Sequence, residues 1–328
     1  MMDYRLTPNQ ISESKMSTGA KIAIVIPYYK PDYLEPLLDA LQREADARIN
    51  IYLFDDCSPT PALAYVRKYQ YTIHKHIRFD SNLGGASLTG QWDRCLAHIG
   101  EEEWVWFLPD DDVLKAGSLT KICDVIDSVP QDVALLHFAT EIINGDGCDQ
   151  GFRDTLPAGR YDAVNFYYRV LRGESMITLG SQLCRRSALH DGFVKFPRGW
   201  GSDHATTLKS ASQQDILHID NATLQFRMSE LNISSQNGDW AQKAAARVQF
   251  AKWLVAFLQL ADSKTVTFSQ VRAAFLLKGE SFFVRTCPLR WRMLGYAYAV
   301  AKTFGSGLAA VYPLKIVLIK AITAVKVG

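Results

Sequence analysis

Short apolar runs alternate with amphipathic segments over the first 140 residues of the chain. The apolar runs are rich in β-branched and aromatic residues, which predicts buried strands at 21–26, 49–54, 77–79, 104–108 and 133–138. The intervening segments carry apolar residues at helical spacing, which predicts helices at 32–46, 61–70, 87–99 and 117–128. Because strand and helix alternate, we expect an α/β fold with a mostly parallel sheet covered by helices on both faces.

The alternation weakens after residue 141, where glycines and prolines mark loops. One helix is predicted near 161–172, residues 239–262 have a strongly helical pattern, and 266–328 looks helical and basic. We therefore divide the chain into a loose arm at 1–19, two sheet-bearing segments at 20–140 and 141–238, and a helical C-terminal region at 239–328.

Composition excludes several classes of protein. The chain has 328 residues with a formal net charge of +2, so no global positive field favours nucleic acid. The six cysteines are scattered without a C-x-x-C pair, which argues against zinc and disulfides and fits a reducing compartment. We expect no secretory signal and no spanning helix, and therefore a cytoplasmic protein.

Three consecutive carboxylates, Asp110, Asp111 and Asp112, directly follow the predicted strand at 104–108. Carboxylates this close repel one another and raise each other's pKa unless a positive charge lies between them. A divalent cation with phosphate oxygens meets that need, since hard oxygen donors suit Mg²⁺ or Mn²⁺. The alternative is an acidic turn that also caps the next helix.

A second acidic pair, Asp55 and Asp56, follows the predicted strand at 49–54. A carboxylate at a strand end can accept hydrogen bonds from a ribose or a base, whereas the alternative is a cap for the following helix, with Ser58 as a rival cap. Ligands of parallel sheets bind at the carboxyl ends of strands. Because both acidic clusters lie at such ends, we expect them to meet around one ligand.

Two other positions suit a phosphate-containing ligand. The turn at 82–85 (Asn-Leu-Gly-Gly) lets the backbone approach a ligand closely, although it lacks the spacing of dinucleotide and ATP motifs and can be a turn only. Arg227 can bind a diphosphate bidentately, and a surface ion pair is the alternative.

A further carboxylate, Asp203, lies beside Trp200 and Gly201 at the start of a helix-like segment. It can act as a general base over a flat sugar face. The alternatives are a helix cap by Ser202 or Asp203, and His204 as the base, because the pKa of histidine lies near neutrality.

The C-terminal region interleaves aromatic and basic residues, namely Phe282, Phe283, Arg285, Arg290, Trp291 and Arg292. Residues 308–327 then place Lys315, Lys320 and Lys326 among leucine, valine and isoleucine. A basic amphipathic helix of this kind lies on anionic membrane surfaces, while the alternative is a helix packed on the protein with its lysines in water. We favour membrane contact.

Four motifs, taken in order, resemble those of the family 2 glycosyltransferases of the GT-A fold: Ile-Val-Ile-Pro-Tyr-Tyr at 24–29, Leu-Phe-Asp-Asp-Cys-Ser at 53–58, Asn-Leu-Gly at 82–84 and Phe-Leu-Pro-Asp-Asp-Asp-Val-Leu at 107–114. The resemblance covers about 20–235. It implies that 20–140 binds a nucleoside-diphosphate sugar, expected to be a UDP-sugar, and that 141–238 binds the acceptor. It also implies an inverting, metal-dependent transfer.

The same resemblance implies roles for individual residues. The nucleotide-sugar site would contain Pro27, Tyr28, Tyr29, Asp55, Asp56, Asn82, Gly84, Asp110 and Asp111. The base would be Asp203, with Trp200, Gly201, Ser202 and His204 on the acceptor side and Arg227 as a diphosphate contact. Together with the basic C terminus, the resemblance implies a lipid-linked saccharide acceptor at the inner face of a bacterial membrane, in O-antigen or capsule synthesis.

The chain departs from the family pattern at several places. Pro109 replaces the first aspartate of the usual Asp-x-Asp-Asp, so the metal ligand would be Asp111 or Asp112. The usual Glu-Asp of the acceptor motif reads Ser202-Asp203, and the arginine often found after the Asn-x-Gly turn is missing from 86–91. The absence of a Gln-x-x-Arg-Trp motif and of spanning helices argues against a processive synthase.

Two rival functions remain at the level of sequence. A nucleotidyltransferase shares a related sheet and acidic metal site, but its Gly-rich basic loop after the first strand is replaced here by Pro-Tyr-Tyr-Lys-Pro at 27–31. A non-catalytic nucleotide-sugar-binding module is the other rival, and the intact acidic clusters argue against it.

Overall fold

The structure is a computed structural model that describes residues 12–13, 19–230, 240–288, 291–305 and 307–327. Most of the predicted arm at 1–19 therefore lies outside the described residues. The same holds for Arg290 and for the side chains of Arg285 and Lys326, which the predicted basic C-terminal surface included.

Within the described residues, eleven strands form one mixed sheet. The strands are β1 (Ser12–Glu13), β2 (Ile22–Tyr28), β3 (Ile49–Asp55), β4 (Lys75–Arg78), β5 (Trp104–Phe107), β6 (Val113–Leu114), β7 (Val133–Ile143), β8 (Asp149–Arg153), β9 (Gly159–Tyr161), β10 (Gln182–Arg185) and β11 (Asp215–Arg227). Their order is β1-β4-β3-β2-β5-β10-β7-β11-β6, with β8 beside β7 and β9 beside β11. The pairings β4-β3-β2-β5 and β7-β11 are parallel, and β10 joins these two halves by antiparallel pairing.

The helices lie on both faces of this sheet. They are α1 (Leu34–Arg43), α2 (Leu63–Lys68), α3 (Leu88–Leu96), α4 (Ser118–Ile126), α5 (Ala163–Arg172), α6 (Ser202–Ser210), α7 (Trp240–Leu260), α8 (Phe268–Thr286), α9 (Trp291–Thr303) and α10 (Val311–Val327). The predicted α/β class with a mostly parallel sheet and helices on both faces is thus confirmed.

Successive side chains of β2 point to opposite faces of the sheet, which explains why an apolar cluster lies on each face. Ile22, Ile24 and Ile26 pack into the apolar cluster that contains α1 and α4. Ala23 and Val25 point to the opposite face, into a cluster that extends to α5, α7, α8 and α10. A strand buried on both sides is expected to be continuously apolar, as this one is. The second cluster draws residues from all three predicted segments between 20 and 328, so these segments share one core.

The sequence pattern did not predict β10 or β11. The longer of these, β11, pairs in parallel with β7 along most of its length, and the register shifts between Ile219 and Thr223. Polar residues such as His218 and Asp220 interrupt its apolar pattern, so hydrophobic periodicity could not predict this strand. Its far end reaches the edge of the sheet where the aspartates lie.

The C-terminal helices form a bundle against the second face of the sheet, where α7 contacts α9 and α6, and α8 contacts α5 and α10. Among the residues that the structure describes, no helix combines the length and the apolar character needed to cross a bilayer.

Candidate active site

A cavity of about 860 Å³ opens at the carboxyl ends of the parallel strands. Its lining includes Asp56 from the end of β3 and the three aspartates at 110–112 that follow β5. The two acidic clusters therefore meet at one edge of the sheet, as their positions after neighbouring strands required. Asp203 lines the same cavity.

The loop after β2 is held to the aspartate triplet. The backbone N–H groups of Tyr29 and Lys30 donate to Oδ2 of Asp110 at 2.9 and 3.2 Å. Pro27 and Tyr29 line the cavity, and 39% of Tyr29 is exposed, so its ring is accessible to a ligand. Tyr28 also borders the cavity, but it is fully buried and its hydroxyl donates to the Thr60 carbonyl.

Asp55 serves the backbone of its own loop. Its carboxylate accepts from the N–H groups of Ser58 and Ala62, at 2.8 and 3.1 Å, and pairs with Arg78 at 2.6 Å. Ala62 is the N-cap of α2 and no side chain caps that helix, so Asp55 holds the loop that leads to the helix without being its N-cap. Asp55 is fully buried and is not among the residues that line the cavity.

Asp56 organises the turn at 82–85. It accepts from the N–H groups of Leu83 and Gly84, both at 2.8 Å, and pairs with Arg94. A Cβ atom on Gly84 would lie 2.7 Å from Oδ2 of Asp56, which explains the glycine. Asn82 lines the cavity beside them, and its Oδ1 accepts from the N–H of Gly85.

Arg94 is a residue that the sequence analysis missed. It lies on α3, pairs with Asp56, donates to the Ser81 carbonyl, and stacks over the Phe79 ring at 3.8 Å. The expected arginine was sought in 86–91, directly after the turn. Arg94 lies about one helical turn beyond that segment. This position brings its guanidinium to Asp56, because residues three and four apart share a helix face.

The aspartates of the triplet differ in their surroundings. Asp112 is fully buried, and its Oδ1 accepts from the Arg227 N–H at 3.0 Å. Its Oδ2 is buried without a hydrogen-bond partner and would lie 3.0 Å from a Cβ on Gly180. Asp111 is half-buried, and its carboxylate receives no hydrogen bond from another described residue. Asp111 therefore offers the free oxygens of this cluster.

The triplet carries more negative charge than its neighbours balance. Burial raises the pKa of Asp110 to about 7, and the charge of Asp111 adds to the effect. Burial also raises the pKa of Asp111, and raises that of Asp112 well above its usual range. Within the described residues, no group of three His, Cys, Asp or Glu side chains is arranged to hold a metal ion by itself. A cation here would need oxygens from a ligand as well.

Arg227 stabilises the backbone of the aspartate triplet through hydrogen bonds. Its Nε donates to the Asp111 carbonyl at 2.9 Å, its Nη1 donates to the carbonyls of Asn144 and Gly145, and its guanidinium stacks over Tyr33 at 4.4 Å. The residue is 5% exposed and is not among those that line the cavity. This burial shows that Arg227 is not a surface residue, and its described contacts hold the backbone of the triplet.

Asp203 lies in the first turn of α6 and faces the cavity. The N-cap of that helix is Gly201, and no side chain caps it, so both capping alternatives fail here. Ser202 instead accepts from the Phe196 N–H and is buried away from the cavity. The Asp203 carboxylate accepts from the His204 N–H at 2.8 Å. Burial lowers the pKa of His204, whose ring packs edge-on against Tyr167 and Phe250.

The C-terminal helices complete the cavity opposite the aspartates. Trp200 lies against Phe282 of α8 at 5.9 Å between ring centroids. The lining from α7 and α8 consists of Arg247, Phe250, Phe275, Lys278, Ser281 and Phe282. The sequence analysis assigned this region to a membrane surface and missed its part in the site. The sequence did contain a signal for this role. Arg247 and Phe250 are three residues apart, as are Phe275 and Lys278, so each pair lies on one face of its own helix.

Solved structures share this fold. The crystal structure of S. aureus TarS 1–349 matches with a TM-score of 0.66 and 17% identity, over 90% of this chain and 88% of that one. Its complex with UDP-GlcNAc matches with a TM-score of 0.66 and 18% identity, over 90% and 89%. The mannosyltransferase PcManGT from Pyrobaculum calidifontis, in complex with GDP-Man and Mn²⁺, matches with a TM-score of 0.50 and 16% identity, over 98% and 85%. At these identities the likeness establishes the fold.

No curated protein sequence matches the chain. The family model described as Glycosyl transferase family 2 does match, over residues 23–193, which is just over half of the chain. That region contains both acidic strand ends and the turn at 82–85, all of which meet at the cavity. With the motifs, the fold and the family model in agreement, the chain belongs to glycosyl transferase family 2 and is a glycosyltransferase.

Proposed function

We propose that the chain transfers a sugar from a nucleoside-diphosphate sugar to a hydroxyl group of a lipid-linked saccharide, with inversion at the anomeric carbon. One observation carries this proposal: Asp56, Asp111 and Asp203 line a single cavity, with the first two on its sheet edge and the third on its helical side. Donor and acceptor can therefore bind side by side. Family membership removes the two rival functions from further consideration.

The donor half is the cavity edge formed by segment 20–140. In this proposal the nucleotide base binds between Tyr29 and the turn of Asn82 and Gly84, which Asp56 holds in place. Asp110 fixes the loop that carries Tyr29 and is the proposed contact of the ribose. The donor most in keeping with this edge is a UDP-sugar, because UDP-GlcNAc is the ligand in a complex of TarS.

The residues fit a divalent cation shared with the donor. Asp111 has uncommitted oxygens, and Asp112 behind it has one buried oxygen without a partner. These two side chains would hold Mg²⁺ or Mn²⁺ together with diphosphate oxygens, and Mn²⁺ accompanies GDP-Man in the PcManGT complex. When bound, the cation neutralises the negative charge that grows on the leaving diphosphate.

Asp203 acts as the general base in this proposal. Its carboxylate takes the proton of the acceptor hydroxyl as that oxygen forms a bond to the anomeric carbon. The bond between the anomeric carbon and the diphosphate breaks, and the nucleoside diphosphate leaves. Trp200, next to the base, offers a flat apolar ring for the acceptor sugar.

The acceptor half is formed by segment 141–238 and closed by the C-terminal helices. A lipid-linked acceptor places the protein at the inner face of a bacterial cytoplasmic membrane, in the synthesis of a surface polysaccharide such as O-antigen or capsule. The outer face of α10 supports this location. Val311, Leu314, Leu318 and Ile322 are 50–67% exposed at a spacing of three and four residues.

This surface differs from the predicted one. Of the expected aromatic residues, Phe282 lines the cavity and Phe283 is fully buried, whereas Trp291 is 87% exposed beside the exposed Arg292. Lys320 donates to the Val284 carbonyl at 2.6 Å and so packs on α8. In the proposal, the exposed aliphatic row on α10, with Lys315 exposed beside it, takes the place of Phe282, Phe283 and Lys320 in the membrane-contacting surface.

The proposal is tested with Asp203→Asn, which keeps the size of the side chain and removes the base. We expect release of UDP from UDP-GlcNAc in Mn²⁺ to fall about 100-fold or more. Binding of UDP with Mn²⁺, measured by calorimetry, should stay within about twofold, because the donor half is unchanged. Asp262→Asn, at an exposed position after α7, is the matched control. Unaltered turnover in Asp203→Asn would refute the assignment.

A further inference from the structure

Two cations face the acceptor end of the cavity. Arg247 on α7 and Lys278 on α8 both line it, on the helical side that also carries Asp203. Both charges act on His204, the neighbour of Asp203, where they help to lower its pKa. The pair therefore lies near His204, the neighbour of the proposed base.

Neither cation has a carboxylate partner among the described residues. The hydrogen bond of the Arg247 side chain goes from Nη2 to the Phe275 carbonyl at 3.2 Å, and its Nε is buried without a partner. Lys278 donates from Nζ to the Val170 carbonyl at 3.0 Å. By contrast, Arg94 pairs with a carboxylate in the donor half. Arg247 is half-buried and Lys278 is exposed where they line the cavity, so an anion that enters it can reach both.

The walls around the two cations are apolar. Phe275 and Phe282 stack on the Arg247 guanidinium at 4.5 and 5.4 Å. Leu171 and Ile177 line the same cavity. A guanidinium that retains unused N–H donors, an ammonium group and an aromatic wall suit a ligand with an anionic head and an apolar body.

We propose that Arg247 and Lys278 form an anion subsite that holds the phosphate or diphosphate joining the acceptor saccharide to its lipid. This inference rests on the proposed function and extends it, since it states which part of the acceptor the C-terminal helices bind. The phosphate anchors the acceptor at these helices, and the saccharide beyond it reaches Asp203.

The phosphate could instead be that of the donor, and the experiment separates the two sources. The donor site is first filled with UDP and Mn²⁺. Binding of farnesyl phosphate and of farnesol is then measured by calorimetry in the unaltered protein and in Arg247→Gln and Lys278→Gln. Lys252→Gln, an exposed lysine on α7, is the control.

We expect the unaltered protein and the Lys252→Gln control to prefer farnesyl phosphate over farnesol by about tenfold or more. Each subsite variant should lose about tenfold in farnesyl phosphate affinity, with farnesol and UDP binding unchanged. Arg247→Lys should retain most of the preference, which separates loss of charge from loss of folding.

Equal affinity for farnesyl phosphate in the unaltered protein and both subsite variants would overturn the inference. A matching loss of UDP affinity in the variants would also overturn it, by assigning the cations to the donor diphosphate. The proposed function is tested separately, because failure of the unaltered protein to bind UDP with Mn²⁺ is read from the first titration alone.

Discussion

At the scale of single residues, identical side chains have different roles because their hydrogen-bond partners differ. Asp55 and Asp56 are neighbours, yet the first is fully buried under backbone N–H groups and the second holds the turn that lines the cavity. Asp111 and Asp112 likewise differ in burial and in hydrogen bonding. Burial and hydrogen bonding fix Asp112, while Asp111 keeps a free carboxylate at the cavity. A cation site is thus expected to depend most on Asp111.

Asp111→Asn tests this division. The amide keeps the shape but not the charge of a ligand for a hard cation, so we expect UDP affinity in Mn²⁺ to fall about tenfold or more. The melting temperature should hold, because the Asp111 carboxylate receives no hydrogen bond from another described residue. Asp124→Asn, an exposed aspartate on α4, is the control. Mn²⁺-dependent UDP binding that is unchanged in Asp111→Asn would remove the metal role.

At the scale of elements, the parallel pair of β7 and β11 buries two histidines side by side. His137 and His218 are register partners, with their Nδ1 atoms 3.0 Å apart. The Nε2 of His137 lies 2.8 Å from the Met176 carbonyl, which can only accept, so Nε2 donates and Nδ1 accepts from His218. Asp154 lies 3.8 Å from the other ring nitrogen of His218. This arrangement requires a neutral His137, because its Nδ1 must accept.

The pair makes stability depend on pH. Burial lowers the pKa of His137 to about 3 and of His218 to about 4, below the value near 6.5 in the unfolded chain. The unfolded state therefore binds their protons first, and stability falls as pH drops from about 6.5 toward 4. Burial raises the pKa of Asp154 to about 6, so the folded state gains one proton there and offsets part of the loss.

The net difference of about one proton predicts a slope of roughly 1.4 kcal/mol per pH unit from these three groups. Urea unfolding at pH 7, 6 and 5 measures the total slope, to which the raised pKa values of Asp110, Asp111 and Asp112 add an opposite contribution, so the histidine contribution is read from the difference between variants. His137→Asn should flatten the slope, whereas His190→Asn, at an exposed position, should leave it unchanged. Parallel slopes for the two variants would contradict the burial of a neutral pair.

At the scale of the whole molecule, the cavity is made by two parts of the chain that are distant in sequence. The sheet edge supplies the aspartates, and α7 and α8 supply the aromatic and basic wall. Since α10 packs on α8 and α9, its exposed aliphatic row lies on the outside of the same helical bundle. A lipid acceptor would then be bound by helices that also contact the membrane surface.

The double substitution Leu314→Ser with Leu318→Ser tests the membrane surface. These residues are 67% and 61% exposed, so the folded protein should tolerate serine. Transfer of two leucines from water is worth several times RT, and we expect co-sedimentation with vesicles containing phosphatidylglycerol to fall about tenfold or more. Leu260→Ser, 88% exposed at the end of α7, is the control. Equal sedimentation of the double variant and the unaltered protein would exclude this face.

Much of the fold followed from local pattern. The apolar runs after residue 20 predicted β2, β3, β5 and the start of β7, because strands buried on both faces must be continuously apolar. The helix predicted at 32–46 is α1, Leu34–Arg43, with ends that differ by two or three residues. By contrast, β11 is stabilised by pairing with β7, and its polar residues gave no period of two.

The sequence by itself determined the α/β class, the acidic residues at two strand ends and their meeting at one edge, since parallel strands place their carboxyl ends together. Only the tertiary structure decided which carboxylates stay free, because that depends on which backbone N–H groups and arginines reach them. Contacts between residues far apart in sequence brought Arg94 to Asp56, and Arg247 and Lys278 to the cavity near Asp203. No local pattern encodes such contacts, because they arise from how separate helices pack on one sheet.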